Sequence, residues 1–350
     1  MKIFDKVKNS LVNKLPFVVY KTPNSKFLQG FFQGNDSLNF VEDFSDSKGF
    51  VFAPFNRNQS SVLFPEEDSC LEKESIDVDV DFSDNEIFIN DSQRDFHIQL
   101  VEKGVDAIER NVFRKVVLSR KEKVVLSSDL NQLEVFSRLL MKYPSAFVYF
   151  WYHPKVGKWM GATPETLLSV EGKLFKTMSL AGTQVYQKEL APNWSSKEIE
   201  EQYIVTDYIK GKLQPICGEL SVGELETVRI GNLLHLRTLI TGKIDGDIGR
   251  LIKELHPTPA VCGLPKKITK KFIINEEGYD REFYTGFLGE LNREKHGKTI
   301  SKLFVNLRCM KINSERDINI YVGGGITLDS EPMKEWLETV AKSGAMKSVL

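Results

Sequence analysis

Apolar and polar positions along the chain fall into short blocks whose period changes from one to the next. IDVDVDF, from Ile76 to Phe82, alternates apolar and acidic residues, the pattern of a half-buried strand with one wet face. From about residue 95 to 112, DFHIQLVEKGVDAIERN gathers its apolar positions on one face of an amphipathic helix. KVVLSRKEKVVL then reads as a strand, LNQLEVFSRLLMKY as a helix and SAFVYFWYH as a strand. TLLSVEGKLFKT predicts two strands around a Glu171–Gly172 turn. SSKEIEEQYIVTDYIKGKLQPI predicts a helix with a serine cap and a glutamate placed for a capping box. A strand-rich stretch follows through LETVRI, LLHLRTLITGKI, LFVNLRCMKI and INIYVGGGI. DSEPMKEWLETVAKSG closes the pattern as a helix, with Pro332 in its first turn and Gly344 expected just past its end. Long antiparallel-looking strands with helices in separate blocks imply an α+β fold and not regular βαβ alternation. No composition shift marks a linker, so one compact unit of two interleaved halves is expected.

Composition narrows the function classes. Basic residues number 47 and acidic ones 48, so the charge pattern of a nucleic-acid binder is missing. No apolar run approaches the roughly 20 residues that span a bilayer, and the N-terminal MKIFDKVKNSLVNKLPFVVYK is too often charged for a signal-peptide core. Cys70, Cys217, Cys262 and Cys309 are scattered, which gives no zinc spacing and no disulfide framework and fits a reducing cytoplasm. There is no GxSxG, HExxH, CxxC or P-loop.

The candidate chemistry lies where charges interrupt apolar periodicity. Lys115 heads the strand KVVLSR, and alternation puts Lys115, Val117 and Ser119 on one face. Such a lysine either points its amine to water or is held in a cleft, where apolar surroundings suit it to work as a general base. Glu165, in the turn GATPET between two apolar strands, is ordinary turn chemistry or, when buried, a general acid. Glu201 shares a helical stripe with Ile204, Val205 and Tyr208, and Glu335, Glu338 and Lys342 share a face of the last helix. Taken alone, the last set is a solvated face with an ion pair contributing about 0.3–0.5 kcal/mol. Two inward carboxylates from different helices would also suit Mg²⁺, which takes one or two protein carboxylates and keeps other positions for water and substrate. Gly323–Gly325, a flexible approach or a tight turn, could present backbone N–H groups to an anion. Arg308 interrupts the strand NLRCMKI and needs an anionic partner. His256, in a proline-punctuated loop, has no weight of its own.

In order, KVVLSR, GATPETLL, SLAGT, KEIEEQ, LHPTPAVCG, REFYTGFLG, NLRCMKI, YVGGGI and EPMKEWLETVAK resemble the chorismate-utilising enzymes: the isochorismate, salicylate, anthranilate and aminodeoxychorismate synthases. The resemblance runs from about residue 110 to the C-terminus. It implies the anthranilate synthase component I-like fold, two similar β-sheet halves flanked by helices with the active site between them. Residues 1–95 would be the variable N-terminal part of that unit and 96–350 the chorismate-binding catalytic region. It implies Mg²⁺ held by Glu201 and Glu338, with Glu335 close by. Arg308, Tyr284 and the amides of Gly323 and Gly325 match positions gripping the enolpyruvyl carboxylate, and Lys342 a cation near the ring carboxylate. Gly182 and Thr183 match the AGT segment lining the pocket, and His256 its loop histidine. Where the family's metal helix often reads K-D-x-x-E-H, this chain has Lys197-Glu198-Ile199-Glu200-Glu201-Gln202, which keeps the metal glutamate and replaces the histidine.

Within that family, amine-using members tend to have glutamine at the Lys115 position, and lysine goes with water as nucleophile. The resemblance therefore implies an isochorismate synthase, with Lys115 as base and Glu165 as acid, serving menaquinone or siderophore biosynthesis. A salicylate synthase, or a non-catalytic anion-binding homologue, is the alternative. The expected partner is chorismate, with no nucleic acid or membrane, in a cytoplasmic monomer.

Overall fold

The computed structural model describes residues 2–76, 91–187, 192–231 and 233–350. Its strands form two nine-stranded sheets. In spatial order the first holds Gly263–Leu264, Lys115–Val125, Asp317–Ile326, Cys309–Ile312, Gly157–Thr163, Phe147–His153, Phe17–Lys21, Phe27–Gln33 and Ser69–Ser75. The second holds Cys217–Ile230, Leu233–Ile244, Leu174–Val185, Thr166–Glu171, Lys298–Val305, Phe287–Lys295, Gly49–Ala53, Val62–Pro65 and Asn39–Phe40. Residues 17–75 thus supply three strands to each sheet. Residues 77–82 of the alternating run read from Ile76 to Phe82 lie outside the described residues.

Strand alternation explains the layering. In Phe147–His153, Phe147, Tyr149 and Trp151 point between the sheets, while Val148, Phe150 and Tyr152 point outward. The inner layer is aromatic: Tyr20, Trp151 and Trp159 of one sheet meet Phe50, Phe52 and Phe64 of the other, with Phe64 stacked on Trp151 at 5.3 Å. The outward residues of the first sheet are covered by helices Ile3–Val12 and Gln132–Lys142. Those of the second are covered by Ser196–Leu213 and Ile248–Leu255. Helix Ser196–Leu213 has the expected Ser195 cap, with Glu198 returning to the Ser195 backbone N–H at 2.8 Å. Among the described residues no helix is long and apolar enough to cross a membrane.

Three expectations change. GATPET does not join neighbouring strands: Gly157–Thr163 belongs to the first sheet and Thr166–Glu171 to the second, so Pro164 and Glu165 carry the chain from one sheet to the other. Gly323–Gly325 is neither loop nor turn but lies within strand Asp317–Ile326, paired with Ser119, Leu118 and Val117. Gly344 does not end the last helix, which runs from Pro332 to Lys347 with Gly344 buried inside it. Packing there outweighs the roughly 1 kcal/mol disadvantage of a mid-helix glycine.

Candidate active site

At one end of the sandwich the aromatic filling gives way to a cavity. Its walls come from strands of both sheets, including Val117, Leu180 and Gly323, and from the crossover residues Glu165 and Arg308. The crossovers run side by side: the Val305 N–H donates to the Glu165 carbonyl at 3.0 Å, and the Ala162 N–H to the Arg308 carbonyl at 3.0 Å. The Cys309–Ile312 strand pairs with Asp317–Ile326 only as far as Tyr321, so beyond that point the glycine strand is held from one side, by Lys115–Val125. Its other edge lines the cavity at Val322 to Gly325, where alternate backbone N–H groups of an antiparallel strand point away from the neighbour.

The glycines clear room for carboxylates. A Cβ on Gly325 would lie 1.9 Å from Glu201 Oε1, and one on Gly324 would lie 3.3 Å from Glu335 Oε2 and 3.6 Å from Glu338 Oε1. Glu201, Glu335 and Glu338 therefore gather at this strand from two helices, and Lys342 joins them. Each is met by a lysine. Lys115 Nζ lies 2.8 Å from Glu201, Lys342 Nζ lies 2.6 Å from Glu338, and Lys197 pairs with Glu335. Burial alone would raise the Glu201 carboxyl, but Lys115, Lys197 and Lys342 around it hold it below its ordinary value. Burial, with Glu338 beside it, pushes Glu335 up. Among the described residues no three His, Cys, Asp or Glu side chains converge on one metal position. The donor set still fits Mg²⁺: hard oxygens from Glu201 and Glu338 face the cavity, and Glu335 Oε2 is buried behind them without a hydrogen-bond partner.

Lys115 is fully buried, with Val116 and Leu118 turned to the opposite, apolar face and Val117 on the cavity, as alternation predicts. Its side chain stands behind Gly325, where a Cβ would come within 3.1 Å of Cε. Glu165 is 3% exposed, and burial pushes its carboxyl up to about 8 against the opposing influence of Lys115. It is thus largely protonated at neutral pH.

Arg308 adopts a left-handed backbone, φ 46°, unusual for a non-glycine residue. Its guanidinium donates to the Ile230 carbonyl at 3.2 Å and to His235 Nε2 at 2.7 Å, and burial lowers its pKa to about 10. Among the described residues no carboxylate pairs with it, so a mostly buried cation faces the cavity with neutral partners only. Tyr284, Gly182 and Thr183 line the same cavity. His256 does not: its buried ring holds the Thr285 carbonyl at Nε2, 3.1 Å away, and packs against Phe287. His235 was missed by sequence reasoning. Its signal, a histidine interrupting the apolar strand LLHLRTLI, is of the kind that marked Arg308.

A family model described as chorismate binding enzyme matches residues 64–350. Isochorismate synthase EntC of Escherichia coli K12 is 30% identical over 246 residues, 67% of this chain and 62% of that protein, so the match spans less than two thirds of that relative's length. DhbC from Bacillus anthracis has the same fold, with a TM-score of 0.79 at 21% identity over 95% of this chain and 96% of that one. Anthranilate synthase component I from Streptococcus pneumoniae also shares it, with a TM-score of 0.67 at 17% identity over 95% and 92% of the two chains. The anthranilate synthase component I-like fold expected from sequence is therefore the one observed. The region matched by the family model contains every residue described above around the cavity, and the chain belongs to the chorismate-binding enzyme family.

Proposed function

We propose that this chain converts chorismate to isochorismate with Mg²⁺ bound. The observation that carries the reading is that a neutral carboxyl, Glu165, and a guanidinium with no carboxylate partner among the described residues, Arg308, line one cavity, while Lys115 is buried next to that lining against Glu201. Arg308 receives the enolpyruvyl carboxylate, with Tyr284 and the glycine-strand amides beside it. Bound by Glu201 and Glu338, with Glu335 nearby, Mg²⁺ would hold the ring carboxylate and stabilise charge on it. Lys115 faces Glu201 as its counter-ion, so its ammonium must first give a proton to solvent. With the charge of Glu201 neutralised by the cation instead, that loss is favoured and the amine is left free to take a proton from water. Water attacks ring carbon C2 and gives that proton to Lys115. Both ring double bonds shift, the C4–O bond breaks, and Glu165 protonates the departing hydroxyl as water. The name of the relative EntC supports this product, and Lys115 supports water over an amine as nucleophile. The product would feed menaquinone or siderophore synthesis.

Purified protein given chorismate and Mg²⁺, with products separated by chromatography, should form isochorismate reversibly. The reaction should need no ammonium, release no pyruvate and stop when the metal is chelated. An amino product that depends on ammonium, or no turnover at all, defeats the proposal; salicylate with pyruvate makes the chain a salicylate synthase.

A further inference from the structure

His235 is a neutral acceptor wedged between a carbonyl and a cation. Its Nδ1 lies 3.0 Å from the Gly182 carbonyl, and its Nε2 lies 2.7 Å from Arg308 Nη2. A carbonyl cannot donate, so Nδ1 carries the hydrogen; a guanidinium cannot accept, so Nε2 offers its lone pair. Both neighbours demand the same tautomer. We propose that His235 is a positioning residue whose Nδ1-protonated ring aims Arg308 at a substrate carboxylate, with Gly182 setting the tautomer. The inference rests on the reading above that Arg308 receives an anionic group.

The backbone makes this geometry specific. Gly182 has φ +68°, and a Cβ there would lie 3.2 Å from Glu198 Cβ, so the direction of its carbonyl depends on glycine. Thr183 Oγ1, 3.4 Å from Nδ1, is the other polar atom on that side. The Arg308 backbone is tied to Ala162 at the sheet crossover. With that end fixed, the place of the guanidinium depends on two acceptors, the Ile230 carbonyl and His235 Nε2. Burial, Arg308 and Lys342 all disfavour the imidazolium, which keeps Nε2 an acceptor.

The test uses the full chain with His235→Leu, which removes the acceptor, and His235→Gln, whose side-chain carbonyl reaches the Nε2 position. His235→Asn, whose oxygen falls short at the Nδ1 position, repeats the loss should the leucine variant fail to fold; thermal midpoints report folding for all three. Pyruvate serves as a monocarboxylate probe, its dissociation constant measured by NMR titration alongside KM and kcat for chorismate. His235→Leu should weaken pyruvate binding and raise KM by about tenfold or more, with kcat changed far less, because Arg308 grips a part of the substrate that does not react. His235→Gln should recover most of the loss. Pyruvate binding unchanged in His235→Leu, no recovery in His235→Gln, or a loss confined to kcat overturns the assignment, as does a parent that binds no pyruvate. If the parent ignores chorismate while pyruvate binding follows this pattern, the proposed activity fails and the positioning role stands.

Discussion

Glu165 shows how one buried side chain ties stability to chemistry. Its carboxyl is raised by burial from 4.5 to about 8. Between those values the folded chain keeps a proton that the unfolded chain has lost, so stability falls as pH rises through the window, by at most roughly 1.4 kcal/mol per unit. Glu165→Gln removes that slope. The thermal midpoint of the variant relative to the parent should climb from pH 4.5 to pH 8 and level off above, while kcat drops about 10²- to 10⁴-fold through loss of the acid. In the parent, turnover should decline above about pH 8 as Glu165 gives up its proton. A midpoint difference that is flat with pH would show that burial does not hold this carboxyl neutral.

The glycine strand carries the argument at the level of elements. Gly323–Gly325 suggested a flexible approach to the last helix, because local pattern cannot tell a glycine turn from a strand stripped of side chains to admit carboxylates. Gly325→Ala should push Glu201 out of place, since the new methyl would lie 1.9 Å from Oε1. We expect kcat/KM to fall about a hundredfold or more with the far-UV circular dichroism unchanged. Gly211→Ala, in a helix with nothing within 4 Å of the added carbon, should retain activity and gain about 0.5–1 kcal/mol of stability. Equal activity in both variants would remove the steric reading. Charges that break an apolar period were legible, and Lys115, Glu165 and Arg308 were found that way. The lysine partners were not: Lys115 meets Glu201 and Lys197 meets Glu335 only after strands and helices distant in sequence have packed. His256 came from motif resemblance, and its ring turned out to support Thr285 from behind the cavity wall.

For the whole molecule, the α+β class followed from long alternating strands and separate helical blocks, but sheet membership did not. Each strand's period is the same in either sheet, so nothing local showed that Pro164–Glu165 and Asn306–Arg308 cross between them. Those crossings place an acid and a cation between two sheets cemented by aromatic packing. Phe52 sits in that cement, edge-on to Trp151 at 5.2 Å and stacked on Phe283 at 4.2 Å. Phe52→Ala should destabilise the fold by about 3–5 kcal/mol, seen as one cooperative urea transition shifted to lower midpoint. Two separated transitions would mean that the sheets do not fold as one core. The central claim is that Lys115 activates water opposite Glu165, and oxygen labelling tests it most directly. With chorismate and Mg²⁺ in ¹⁸O-water, brief turnover analysed by mass spectrometry and NMR should give isochorismate carrying one ¹⁸O atom, on C2; a product whose C2 oxygen is unlabelled, or whose new substituent is nitrogen, would contradict it.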